Sequence, residues 1–191
     1  MRSLQILYVL ALAAVTGLGT ASHALRGQPP LGQVQIGAWT VWPRIGSRDI
    51  DPYARAVLAR GAHLPLGLGE GLTLVAYKDQ TGKSLNAACS YAISGFVPTA
   101  RGWTLTVSDS NGQALPEARQ RTGFSDAEVT RRENGELAIG LSREALAGDW
   151  LPLPKSSSFT LVLRLYDTPV SGTASELSAG QLPRIERLSC T

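Results

Sequence analysis

"FTLVLRLYD", residues 159–167, decides the fold. It is apolar on both sides of a two-residue alternation, which predicts a central strand covered on both faces. Its single cation, Arg164, would then sit among apolar residues. There it must find an acid or backbone carbonyls, because unpaired burial of charge is costly, and its expected role is structural.

Outward from that stretch the chain reads as short strands divided by turns. "LTLVAYKD" (72–79) runs into the turn "QTGK", and "CSYAISGFV" (89–97) precedes "GWTLTVSD" (102–109). In the last of these Trp103, Leu105 and Val107 share one face, with Thr104, Thr106 and Ser108 opposite. "SNGQ" (110–113) and Asn134-Gly135 carry the Asn-Gly pair that suits tight hairpins. "ELAIGLS" (136–142) and "RIERLSC" (184–190) supply two more strands. "QVQIGAWTVW" (33–42) alternates as one strand, with Val34, Ile36, Ala38 and Trp42 on one side. "SREALAGDW" is at most one or two helical turns, and "GDWLPLP" reads as a packed corner around Trp150. Seven or eight strands without strand–helix alternation favour an antiparallel sandwich or barrel over a doubly wound sheet.

One helix interrupts this pattern, in "RDIDPYARAVLARGAHLPLG" (48–67). Asp51 is an N-cap, Pro52 fits the first helical position and Gly61 stops the helix, giving Pro52 to Arg60. Tyr53, Val57 and Arg60 share a side, as do Ala54 and Leu58. Arg55 and Arg60 diverge by about 140° and cannot form one face. The arginines either cap or pair locally with Asp51 or Glu70, or they contribute to a site. In the second case Arg55 and Arg101 converge with Glu70 and Tyr91 and grip an anion through guanidinium forks, with Tyr53 beside them. Glu70 is then the acid/base candidate.

No catalytic signature accompanies these residues. Gly-x-Ser-x-Gly, a phosphate loop and His-Glu-x-x-His are all missing, and "GLGEG" (67–71) follows no strand–helix unit. Outside the first 24 residues the single histidine is His63, so no histidine-based zinc site is expected and a triad would rest on His63 alone. No metal and no cofactor is expected.

The chain begins differently. Arg2 precedes "ILYVLALAAVTGLG" (6–19) and the small residues of "TASHA", the layout of a secretory signal with a cut after Ala24. The uncharged run from Leu4 to Leu25 is equally long enough to cross a bilayer core of about 30 Å as an uncleaved anchor. Either way Arg2 stays inside and the remaining chain lies on the outer face of a cytoplasmic membrane. Residues 1–24 are thus a signal peptide or signal anchor, 25–32 a Pro/Gly-rich linker and 33–191 the β domain. Export accounts for Cys89 and Cys190 as a disulfide. It would close a loop of about 100 residues, which the chain-entropy model values near 4–5 kcal/mol. Net charge is +3, from fifteen arginines and three lysines against fifteen acids, with no run of five like charges. Neither a nucleic-acid footprint nor a polybasic lipid patch is expected.

An ordered set of short motifs runs through the domain. It comprises Asp51-Pro52-Tyr53-x-Arg55-Ala56, Leu64-Pro65-Leu66, Glu70, Cys89-x-Tyr91 and Arg101-x-Trp103-Thr104-Leu105. Trp150-Leu151-Pro152, Leu163-Arg164-Leu165-Tyr166, Pro183-x-Ile185 and Cys190 complete it. In this the chain resembles the bacterial family called domain of unknown function 1214, over roughly residues 31–191. Gly102, in place of an aromatic, and Asp149, in place of asparagine, depart from the family pattern. The resemblance implies a jelly-roll β-sandwich in exported or membrane-anchored proteins of the cell envelope. A second domain, numbered 1254, is often fused to it or encoded beside it and is the expected companion. The family brings no established catalytic residues. The expected function is therefore an envelope module on the periplasmic side that binds a companion protein or an envelope component. The alternative is an enzyme, or a subunit of one, acting on a small anionic or amide-bearing compound.

Overall fold

The computed structural model describes residues 2–24, 32–61, 65–109, 121–155 and 158–190. Strand β9 (Thr160–Tyr166) lies between β3 (Gly71–Ala76) and β5 (Gly102–Ser108), with Leu163 level with both Leu74 and Leu105. Leu161, Leu163 and Leu165 point inward and are fully buried. The opposite face corrects the expectation for Arg164. It stands between Thr73 and Thr104, half-buried and facing outward, rather than enclosed among apolar groups. The alternation was disguised because Thr160 and Val162 on that same outer face are also buried, at 2% and 4% exposure.

The remaining strands are β1 (Val34–Ile36), β2 (Trp39–Val41), β4 (Cys89–Gly95), β6 (Gly123–Ser125), β7 (Leu137–Ser142), β8 (Asp149–Pro152) and β10 (Arg184–Cys190). They form a six-stranded sheet, β1-β2-β3-β9-β5-β6, and a four-stranded sheet, β10-β4-β7-β8. One hydrophobic core joins them in a sandwich-like arrangement, with Leu74, Leu105 and Leu163 from one sheet and Tyr91, Ile93 and Leu141 from the other. Tyr91 meets Phe159 edge to face at 5.6 Å, and Trp39 Nε1 donates to the Pro183 carbonyl at 2.7 Å. At roughly 25 cal/mol per Å² of apolar surface removed from water, this shared core is the main source of stability.

Four further expectations change. "QVQIGAWTVW" is a hairpin, because the chain turns at Gly37–Ala38 and pairs Ile36 with Trp39. The turn reverses the parity, so Trp39 and Val41 join the core beside Ile36. "SREALAGDW" holds no helix, and "GDWLPLP" is not a corner: Asp149–Pro152 is strand β8. The sheet is also not wholly antiparallel, since β8 runs parallel to β7. The connection is only six residues, 143–148, and folds back so that Leu146 lies over Gly140, where a Cβ would stand 2.8 Å from Leu146 Cδ1. Trp150 Nε1 and the Leu153 N–H both donate to the Ser142 carbonyl, and Pro152 occupies an edge position, where its missing N–H costs no ladder bond.

Helix α1 (Arg2–Ala24) is long and apolar enough to cross a membrane, and no residue of its apolar stretch, Arg2–His23, is buried in the protein. Helix α2 (Pro52–Gly61) follows the capping chemistry of its sequence. Asp51 Oδ1 and Oδ2 accept the N–H groups of Tyr53 and Ala54, each at 3.0 Å. Ala54 and Val57 form its buried stripe, while Tyr53 is 48% exposed. His63, Leu64, the Arg60 side chain, the turn at 110–113 and most of the linker lie outside the described residues.

Candidate functional site

Two clusters of polar side chains stand out, one at each sheet. The first lies where β3 begins and β9 ends. Glu70 closes a turn with Gly67: its N–H donates to the Gly67 carbonyl at 2.8 Å and its Oε2 accepts the Gly67 N–H at 3.0 Å. Gly71 follows because the chain presses onto β9, and a Cβ there would lie 2.0 Å from the Leu165 carbonyl oxygen. Asp167 is the pivot. Its N–H donates to the Glu70 carbonyl at 2.8 Å, and its own carbonyl accepts the Arg101 N–H at 3.3 Å. It sits at φ 48°, the left-handed region that asparagine and aspartate tolerate better than most residues. Its carboxylate meets Arg101 Nε at 3.5 Å, with side chains 65% and 82% exposed, so the pair contributes about 1 kcal/mol at most.

The structure thus brings Glu70 and Arg101 to either side of Asp167, a residue the sequence reading missed. The only signal was a short polar residue closing the apolar run. Arg55 is not tied into this group. Its Nη2 donates to the Arg48 carbonyl at 3.1 Å, and it is exposed on α2 beside the exposed Tyr53. Tyr91 is in the other sheet and wholly buried, and its hydroxyl accepts the Asn86 N–H at 2.9 Å and donates to the Asn86 carbonyl at 3.2 Å.

The second cluster surrounds Tyr91 and the disulfide. Cys89 and Cys190 are bonded, joining the start of β4 to the end of β10. Arg187, level with Tyr91 across that strand pair, holds its guanidinium 5.4 Å from the Tyr91 ring. Its Nε donates to Asp79 Oδ2 at 2.7 Å, its Nη2 to the Ser84 carbonyl at 2.6 Å and its Nη1 to Cys89 Sγ at 3.8 Å. The other oxygen of Asp79 accepts the Thr81 hydroxyl at 2.6 Å and the N–H groups of Thr81 and Lys83 at 2.9 and 3.1 Å. Burial alone would raise the Asp79 carboxyl, but the bonds from Thr81, Lys83 and Arg187 outweigh it and hold the group below the usual carboxylate range. Nearby Tyr77 has only burial acting on it, which pushes its phenol up to about 12.

This cluster guards an open edge. β10 ends its sheet, and the Gln80 N–H bonds the outward Ile185 carbonyl at 2.9 Å, so the 79–83 turn covers part of that edge. An inward-pointing charge on an edge strand also discourages pairing with other chains. Arg187 was visible in the sequence only as a cation at the parity of Ile185. Among the described residues, no three His, Cys, Asp or Glu side chains gather in a way that could hold a metal ion.

Fold and clusters together define a two-sheet β domain, latched by one disulfide and preceded by an apolar helix. The chain belongs to the family described as "Protein of unknown function (DUF1214)", whose model matches residues 70–170, more than half of the sequence. Among solved structures it is similar to the VPA0106 protein from Vibrio parahaemolyticus, at 17% identity and a TM-score of 0.61 over 96% of this chain. The chain spans 45% of that protein's length. A putative uncharacterized protein from Burkholderia cenocepacia also matches, at 19% identity and a TM-score of 0.44, over 63% of this chain and 30% of that one. No curated protein matches.

Proposed function

We propose that this chain is a binding module of the bacterial cell envelope, held at or released from the outer face of the cytoplasmic membrane by its N-terminal segment. One observation carries the reading: no residue of the apolar stretch Arg2–His23 is buried in the protein, so its side chains need a bilayer or a signal-recognition path for a partner. The Cys89–Cys190 disulfide supports it, because such bonds persist in oxidising compartments.

Binding is favoured over catalysis because the candidate groups already have protein partners. Glu70 caps its own turn, Arg55 holds the Arg48 carbonyl and Tyr91 is sealed in the core. The partner we propose is the companion domain 1254. In support, this fold occupies less than half of the Vibrio chain, where it sits within a longer polypeptide. Crosslinking of the full chain in its host, followed by mass spectrometry, tests this. Recovery of a domain-1254 protein is the expected result, and crosslinks to cytoplasmic proteins alone would overturn it.

A further inference from the structure

The two sulfurs of the disulfide stand in different surroundings. Cys89 is 5% exposed at the start of β4, whereas Cys190 is exposed at the end of β10. Arg187 lies on the Cys89 side, with its Nη1 donating to Cys89 Sγ at 3.8 Å. That guanidinium cannot easily move away, being held by Asp79, the Ser84 carbonyl and the Tyr91 ring, and its side chain is only 20% exposed. A cation fixed beside a sulfur lowers the pKa of its thiol, and a thiol of lower pKa is the better leaving group.

We infer that the pair is a thiol–disulfide exchange site for a dithiol partner, attacked at Cys190 and released at Cys89. The partner's thiolate attacks Cys190 Sγ, forming a mixed disulfide. The Cys89–Cys190 bond breaks and its electron pair leaves on Cys89 as a thiolate beside Arg187. The partner's second thiol then attacks the mixed disulfide and frees Cys190. The partner ends as a disulfide, and its two protons pass to the two cysteines. Run in reverse, the same geometry closes the latch, with the partner's disulfide loading Cys190 and Cys89 attacking it. After opening, Asp79 still holds Arg187 and Gln80 still holds Ile185, so β10 stays paired with β4 up to Arg187, level with Tyr91.

The test uses the oxidised full chain in detergent and limiting glutathione, with acid quenching and peptide mapping of the adducts. Adducts on Cys190 should exceed those on Cys89 by about fivefold or more. Arg187→Gln should slow exchange about fivefold, while Arg187→Lys, which keeps the charge, stays within about twofold of the parent. An unfolded variant would exchange faster, on both sulfurs, so loss of structure cannot imitate the slowing. If Arg187→Gln does not fold, the parent and Arg187→Lys decide the matter. Adducts mainly on Cys89, equal adducts on both, no adduct on the folded parent, or an unchanged rate in folded Arg187→Gln would each overturn the inference.

Discussion

Arg187 Nε and Asp79 Oδ2 meet at 2.7 Å across 108 residues of sequence, joining edge strand β10 to the turn that covers it. The Asp79 side chain has no exposed surface. Removing one partner of such a pair leaves the other buried and uncompensated. Asp79→Ala should therefore cost about 3–5 kcal/mol, read as a lowered urea midpoint at unchanged slope. A loss below about 1 kcal/mol would show that the pair behaves as an exposed one.

The same carboxylate predicts an acid limb of stability. Its folded pKa lies below the unfolded value of about 4, so its contribution is complete above that value and is lost as pH falls through the folded pKa. Urea midpoints from pH 6 down to pH 2 should decline, and Asp79→Asn should flatten part of that decline. An equal decline in both proteins would assign it to other carboxylates.

These two residues show what the sequence could and could not reveal. Five strands (β3, β4, β5, β7 and β9), the edge strand β10, the Asp51 cap and the Cys89–Cys190 pairing rest on local alternation, local chemistry or simple parity and were readable. Strand β6, only three residues long, shows no alternation to read. The Arg187–Asp79 contact was not, because nothing local links positions so far apart. The β1–β2 hairpin was missed for a different reason: the turn at Gly37–Ala38 leaves the run of apolar residues unbroken. The parallel β8 was hidden because the six residues before it fold back so that Leu146 lies over Gly140, a tertiary contact with no local signal. At the candidate site, Arg101 and Glu70 were legible as residue types. Asp167 between them was not, since its role comes from backbone bonds.

Removing the disulfide through a Cys89→Ser, Cys190→Ser double variant should cost on the order of 4–5 kcal/mol by the chain-entropy model, for a sequence separation of 101. Thermal melts of the parent with and without reductant should show the same difference. A melting temperature indifferent to reductant would mean the latch adds nothing to the folded state.

Tyr91→Phe keeps the core volume but removes the hydroxyl that serves the Asn86 N–H and carbonyl. The expected loss is about 1–3 kcal/mol, because a buried N–H is left without its acceptor. A neutral result would mean that water reaches Asn86.

Gly71→Ala should destabilise by more than about 2 kcal/mol, since backbone rather than a movable side chain blocks the new Cβ. Gly180→Ala meets open space and should stay within about 0.5 kcal/mol. Equal effects at the two sites would contradict the close approach of β3 to β9.

Sidedness tests the central claim most directly. The full chain would be expressed in bacterial cells, which are then converted to spheroplasts and treated with external protease under alkylating conditions. The account predicts that the β domain is degraded in spheroplasts but not in intact cells, and that Cys89 and Cys190 are recovered as a disulfide. Protection in spheroplasts, with both thiols alkylated after lysis, would place the domain in the cytoplasm and contradict it.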